Sequence, residues 1–156
     1  MFESAELGHK IDKATFRKEV PKLRAELLDV QYDVLQKKEF PVIILVSGVD
    51  GSGKGETINL LYSWMDPRHI EVHAFDQPTL EECQRPFLWR FWRALPPKGK
   101  IGVFMGSWYT TPIIRRVYGE TKDGDLARSV EEILHFEQML VNEGAPAIDT
   151  LDALAH

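Results

Sequence analysis

A chain of 156 residues with 44% hydrophobic and 28% charged side chains holds enough apolar material for one sizeable core and is too short for two ordinary domains. A net charge of −5 excludes a generic nucleic-acid binder, so an anionic ligand would have to meet a local basic patch. The longest apolar run, Val42 to Val46, is too short for a membrane span, no basic-plus-apolar leader opens the chain, and the single Cys83 has no internal disulfide partner; a cytoplasmic protein with no membrane or nucleic-acid partner is expected.

In chain order, residues 1–15 read as a leader. Apolar residues then recur at Phe16, Val20, Leu23, Leu27, Val30 and Val34, the spacing of a helix with a narrow seam. Pro21 suits a first helical turn, which predicts a firm helix from about Pro21 to Lys38. Its seam either packs across its own domain, the commoner arrangement, or makes a homo-oligomer or partner-domain contact. Val42 to Val46 lacks polar alternation, as expected of a strand buried on both faces. A helix from Lys54 to about Met65 follows, then a strand from Ile70 to Phe75. A helix from Leu80 to Leu95 is ended by Pro96-Pro97-Lys98-Gly99, and a third strand runs from Ile101 to Met105. Helices from Pro112 to Tyr118 and from Asp125 to Glu143 come last, with Gly144 in a C-cap position. Strands alternating with helices predict a two-faced parallel α/β sheet. Such sheets ordinarily have about five strands; here three are visible and residues 145–156 read as an irregular tail. The domain, residues 16–144, is therefore expected to be cut short on its C-terminal side.

Gly48-Val49-Asp50-Gly51-Ser52-Gly53-Lys54 follows the first strand and opens a helix, which is G-x-x-x-x-G-K in its required strand–loop–helix setting. Glycines let successive N–H groups of Gly48, Gly51, Ser52, Gly53, Lys54 and Gly55 turn into one concavity for phosphate oxygens. The helix N-terminus adds positive potential, and Lys54 reaches the terminal phosphates. Gly55 stands where most such loops place the Ser or Thr that ligates Mg²⁺. Asp50 puts a carboxylate beside the phosphates, which is costly unless a cation lies between them; it is a candidate metal ligand or a group orienting the acceptor. Ser52 and Thr57 offer hydroxyls away from the usual place. A second cluster, Arg85, Arg90 and Arg93, lies among Phe87, Trp89, Phe91 and Trp92. Arg90 and Arg93, three residues apart, share a helix face suited to several phosphates, and Arg115, Arg116, Lys98 and Lys100 could extend the basic surface. His69, His73 and His135 lack metal-ligand spacing and read as surface or packing residues, and Cys83 reads as inert. Trp108 and Tyr109 are candidates for base stacking or for core packing.

The segments GVDGSGKG, RPFLWRFWRALPPKGKIGVF and SWY, in that order, resemble the polyphosphate kinase 2 family over about Phe16 to Glu143, and within it the N-terminal half of the tandem members. The resemblance implies a P-loop NTPase-like three-layer α/β/α fold in which inorganic polyphosphate donates a phosphoryl group to a nucleoside mono- or diphosphate (AMP or ADP), with Mg²⁺. Asp50 and Lys54 match the family's loop aspartate and lysine, and Arg90 matches the arginine of its LWR motif; these three are the implied catalytic residues, with Arg93 added to the phosphate set. Catalytic members end the third strand in an Asp-Arg pair before Ser-Trp-Tyr, and here Met105 and Gly106 stand in its place. The expected function is a phosphotransferase-type domain whose present copy is degenerate. The alternative is a non-catalytic polyphosphate- or nucleotide-binding half-domain supporting a catalytic partner. An ordinary ATP-dependent kinase fits less well, because Gly55 removes the usual metal-binding hydroxyl.

Overall fold

The computed structural model describes residues 11–48, 51–145 and, for the backbone alone, 150–152. The first helix, α1, runs Lys13–Lys37. Asp12 caps it by accepting from the backbone N–H groups of Ala14 and Thr15 at 2.9 and 3.0 Å, which starts the helix well before Pro21. Pro21 lies inside the helix on an exposed stretch, where the backbone carbonyl it leaves unpaired is open to water. Strand β1 (Val42–Ser47), helix α2 (Lys54–Trp64), a 3₁₀ turn (Pro67–His69) and strand β2 (Ile70–Ala74) follow. The helix expected over Leu80–Leu95 is instead two short ones, α3 (Leu80–Cys83) and α4 (Trp89–Arg93). Pro86 breaks it, having no N–H to donate and disfavouring helical backbone at Arg85. Next come β3 (Ile101–Met105), α5 (Thr110–Val117) and α6 (Asp123–Asn142). As expected, α6 closes on Gly144: its N–H donates to Val141 O at 2.9 Å and that of Ala145 to Leu140 O at 2.9 Å, the paired bonds of a Schellman cap.

All pairings in the sheet are parallel, in the order β2-β3-β1-β4, where β4 is Thr150–Asp152. Val42 faces Ile101 in register and Ile70 faces Ile101 from the other side, so Val46, Met105 and Ala74 lie level near the ends of the three longer strands. The reading of residues 145–156 as irregular is corrected at β4, which pairs Leu45 with Thr150. Three residues are too few to display a strand's hydrophobic pattern. Residues 146–149 and 153–156 lie outside the described residues.

Alternation along the strands feeds two separate cores, which makes the layers α/β/α. Ile43, Leu45 and Phe104 pack with Phe91 of α4, Trp108, and Ile133, Phe136 and Leu140 of α6. Val46, Ile101 and Val103 pack on the opposite face with Ile58 of α2, Met65 and Ile70, where Leu27 of α1 joins them. The first core is an aromatic lattice: Trp108, fully buried, meets Phe91, Phe104 and Phe136 edge-on at 5.7, 6.3 and 5.3 Å between centroids. Of the α1 seam, Phe16, Leu23 and Val30 stay 48%, 49% and 59% exposed, while Val20, Leu27 and Val34 are half-buried. The buried residue of α1 is Gln31, which donates to Asp66 O at 2.9 Å and accepts from Asp66 N–H at 2.7 Å. No helix among the described residues is long and apolar enough to cross a membrane.

Candidate phosphate-binding site

Parallel strands bring every loop that leaves them to one edge of the sheet. Chain order reverses between β1 and β3, and the turn from β1 into α2 lies at that switch point, where open α/β sheets hold ligands. Gly51 and Gly53 adopt φ of 82° and 83°, conformations that glycine takes without steric cost, and Gly53 caps α2 in that state. A Cβ added at Gly51, Gly53 or Gly55 would meet nothing within 4 Å, so the space around the turn is open. Lys54 Nζ folds back to donate to Gly48 O. Ser52 is buried, yet its Oγ has no hydrogen-bond partner among the described residues, and the same holds for Ser47 Oγ at the end of β1. Thr57 Oγ1 is committed to Gly53 O at 3.1 Å, a bond within α2. Gly48, Gly51, Ser52, Gly53, Lys54 and Gly55 are thus gathered in one turn, while Asp50 lies outside the described residues.

Beside that turn the edge is formed by the end of β3. Met105 pairs with Val46 on one side and Ala74 on the other. The ladder runs one step further, with Gly106 N–H donating to Val46 O at 3.0 Å and Phe75 N–H to Met105 O at 2.8 Å. Gly106 has φ 102°, and a Cβ there would lie 3.0 Å from Phe75 O. An arginine, the residue the resemblance expects, does not fit this backbone without a shift.

Arg90 reaches the same edge from α4. Its guanidinium lies 5.3 Å from the Phe75 ring and 5.9 Å from that of Phe91, and Nε sits 3.5 Å from Glu82 Oε1 without a hydrogen bond. Glu82 belongs to the capping box of α3, exchanging bonds with Thr79. The Thr79 N–H, aided by the charges of Arg90 and Arg93, holds the Glu82 carboxyl below the ordinary range. Arg90 is the arginine at Glu82, whereas Arg93 lies 4.7 Å from the Trp89 ring, which Arg85 approaches to 5.3 Å. The wider basic surface is not assembled. Lys98 and Lys100 precede β3, at the opposite edge of the sheet from Lys54, and Lys100 pairs with Glu71 at 3.2 Å. Arg115 and Arg116 are paired with Glu120 and Asp123.

Trp108 is a core residue, its Nε1 donating to Glu137 Oε1 at 2.9 Å, so it cannot stack on a base. Tyr109 donates to the same oxygen at 2.9 Å, and burial together with the Glu137 bond pushes its phenol up to about 12. Glu137 thereby pins the Ser-Trp-Tyr turn to α6. No sequence signal marks it, since 28 residues separate it from Tyr109; Glu82, in contrast, was legible as the fourth residue of Thr79-Leu80-Glu81-Glu82, the spacing of a capping box. His73 packs edge-on against Phe104 at 5.6 Å, in keeping with a packing role.

Magnesium is the ion that the resemblance implies. The ion takes one or two carboxylates besides phosphate oxygens. Among the described residues no group of three or more His, Cys, Asp or Glu is placed to hold a metal. A thioether, Met105, ends β3, and the loop carboxylate Asp50, the candidate ligand, lies outside the described residues.

The polyphosphate kinase 2 family model matches residues 10–149. Two curated relatives are polyphosphate:AMP phosphotransferases from Pseudomonas aeruginosa, 52% identical over 93% of this chain, and from Pseudomonas syringae pv. tomato, 48% identical over 93%; in each case the match covers 29% of the relative. The chain thus spans less than a third of those proteins. A crystal structure of polyphosphate kinase 2 from Arthrobacter aurescens superposes with a TM-score of 0.82 at 28% identity, over 94% of this chain and 51% of that one. With the matching model spanning nearly the whole sequence and the same strand–loop–helix frame around Lys54, the chain belongs to the polyphosphate kinase 2 family.

Proposed function

We propose that this chain binds inorganic polyphosphate at the β1–α2 turn, and that it is a degenerate copy of a polyphosphate:nucleotide phosphotransferase domain which does not turn over by itself. One observation carries the reading: an intact Lys54 loop lies beside a β3 end made of Met105 and Gly106. Binding needs donors, and the loop amides, the N-terminus of α2, Lys54 and Arg90 supply them. Transfer of a phosphoryl group to AMP or ADP would need attack of an acceptor oxygen on the terminal phosphorus with departure of the shortened chain. Catalysis of such a step consists of positioning and charge neutralisation, and Met105 stands where the resemblance expects the β3 carboxylate that serves it. The setting in this reading is cytoplasmic, in keeping with an exposed free thiol at Cys83.

Calorimetric titration of the chain with polyphosphate, paired with an assay for ADP and ATP formation from AMP and ADP, tests this. Binding that weakens at least about tenfold in Lys54→Ala, a loss of about 1.4 kcal/mol, with no nucleotide product is the expected result. Turnover by the chain alone would refute the degenerate reading, and a folded chain that takes up no polyphosphate would refute the binding site itself.

A further inference from the structure

The capping box of α3 reaches beyond its own helix. Glu82 Oε2 accepts from the Thr79 N–H at 2.8 Å, and the Glu82 N–H donates to Thr79 Oγ1 at 3.3 Å, so backbone and carboxylate are both fixed. The second oxygen, Oε1, lies 3.5 Å from Arg90 Nε, an ion pair between side chains only 18% and 14% exposed. Against the guanidinium lies the Phe75 ring, 5.3 Å away and itself set between Phe91 and Phe104 at 4.4 and 5.0 Å. A ring platform and a carboxylate therefore hold the head of a side chain that otherwise has many rotamers to lose. With Nε turned to Glu82, the Nη donors of the fork are left for a ligand. Resting on the reading that this edge binds polyphosphate, we infer that Glu82 is a positioning residue of the site: it holds Arg90 in place to receive a long chain and touches no phosphate itself.

Two effects of Glu82 on an anionic ligand oppose each other, which makes the inference testable by sign. Its charge repels phosphate, and its hold on Arg90 spares the ligand the cost of ordering that side chain. Both oxygens are turned to protein partners, so the second effect wins. The full chain, Glu82→Gln, Arg90→Ala and the double variant are titrated by calorimetry with long-chain polyphosphate and with orthophosphate. Glutamine keeps the size of the side chain and an oxygen for the Thr79 N–H, and loses the charge that holds the guanidinium. Glu82→Gln is expected to weaken polyphosphate about threefold to tenfold, to leave orthophosphate unchanged, and to add nothing once Arg90 is alanine. Thr79→Ala, which removes the cap hydroxyl and leaves the carboxylate at Arg90, should keep polyphosphate affinity within about threefold. Unchanged or tighter polyphosphate binding in Glu82→Gln, an equal loss with and without Arg90, or the same loss in Thr79→Ala overturns the inference while leaving the binding site standing. A folded parent chain that takes up no polyphosphate removes the binding site, and this inference with it.

Discussion

Gly106 stands where the resemblance expects the family's arginine and Gly55 where most phosphate-binding loops outside the family place Ser or Thr, and the backbone treats them differently. At Gly106 the φ of 102° and the 3.0 Å approach to Phe75 O have settled around the absence of a Cβ. Any side chain there must either keep a disfavoured φ or push the β2–β3 edge apart. Gly106→Arg is therefore expected to destabilise the chain by about 1–3 kcal/mol. Gly55 is an ordinary helical residue of α2, with open space where its Cβ would go. Gly55→Ser costs nothing sterically and removes glycine's helix penalty, a gain of about 0.5 kcal/mol. Urea unfolding of both variants checks the pair; equal stability at 106 would mean the backbone there relaxes freely. It follows that restoring Met105→Asp with Gly106→Arg has to rebuild a strand end as well as replace two side chains.

Helix α1 shows how an element can be foreseen and its anchor missed. The periodicity pointed to Phe16, Val20, Leu23, Leu27, Val30 and Val34, and the helix exists, but an apolar seam does not say which of its turns meet the domain. Packing selects Leu27 and, one turn on, the polar Gln31, whose amide satisfies both backbone groups of Asp66. A buried glutamine between apolar positions looks like a solvent-facing residue until its backbone partner, 35 residues away, is placed beside it. Gln31→Ala strands a part-buried N–H and C=O, with an expected cost of about 1–3 kcal/mol. Phe16→Ala, at a position 48% exposed, is expected to stay within about 0.5 kcal/mol. Chemical denaturation of the two variants decides the matter: a larger loss at Phe16 would mean that the exposed half of α1 is covered in solution, by a second copy or a partner domain. The interrupted helix over Leu80–Leu95 has a simpler cause: Pro86 lies inside the expected span and cannot continue a helix.

For the molecule as a whole, the strand–loop–helix around Lys54 and the parallel sheet were legible because their signals are local: a β-branched run, a glycine pattern, alternating elements. The fate of the basic residues was not, because it depends on which edge of the sheet each reaches. Lys100 and Arg90 are ten positions apart in sequence, yet Lys100 precedes β3 at one edge while Arg90 rests on Phe75 at the other. The same topology yields a prediction about ligand length. Since β3 lies between β1 and β2, the Lys54 turn and the Arg90–Phe75 pair are about two strand spacings, or about 10 Å, apart along the edge. A single phosphate can occupy the loop alone; a longer chain can touch both, and its second contact forms at the high effective concentration set by the first. Arg90→Ala should therefore leave orthophosphate affinity unchanged and weaken polyphosphate about tenfold or more, whereas Lys54→Ala should weaken both. Competition titrations with ortho-, tri- and long-chain polyphosphate measure this. Equal loss for every length in Arg90→Ala would put Arg90 within the loop site itself, and no loss at any length would leave it serving only to bind Glu82 and cover Phe75.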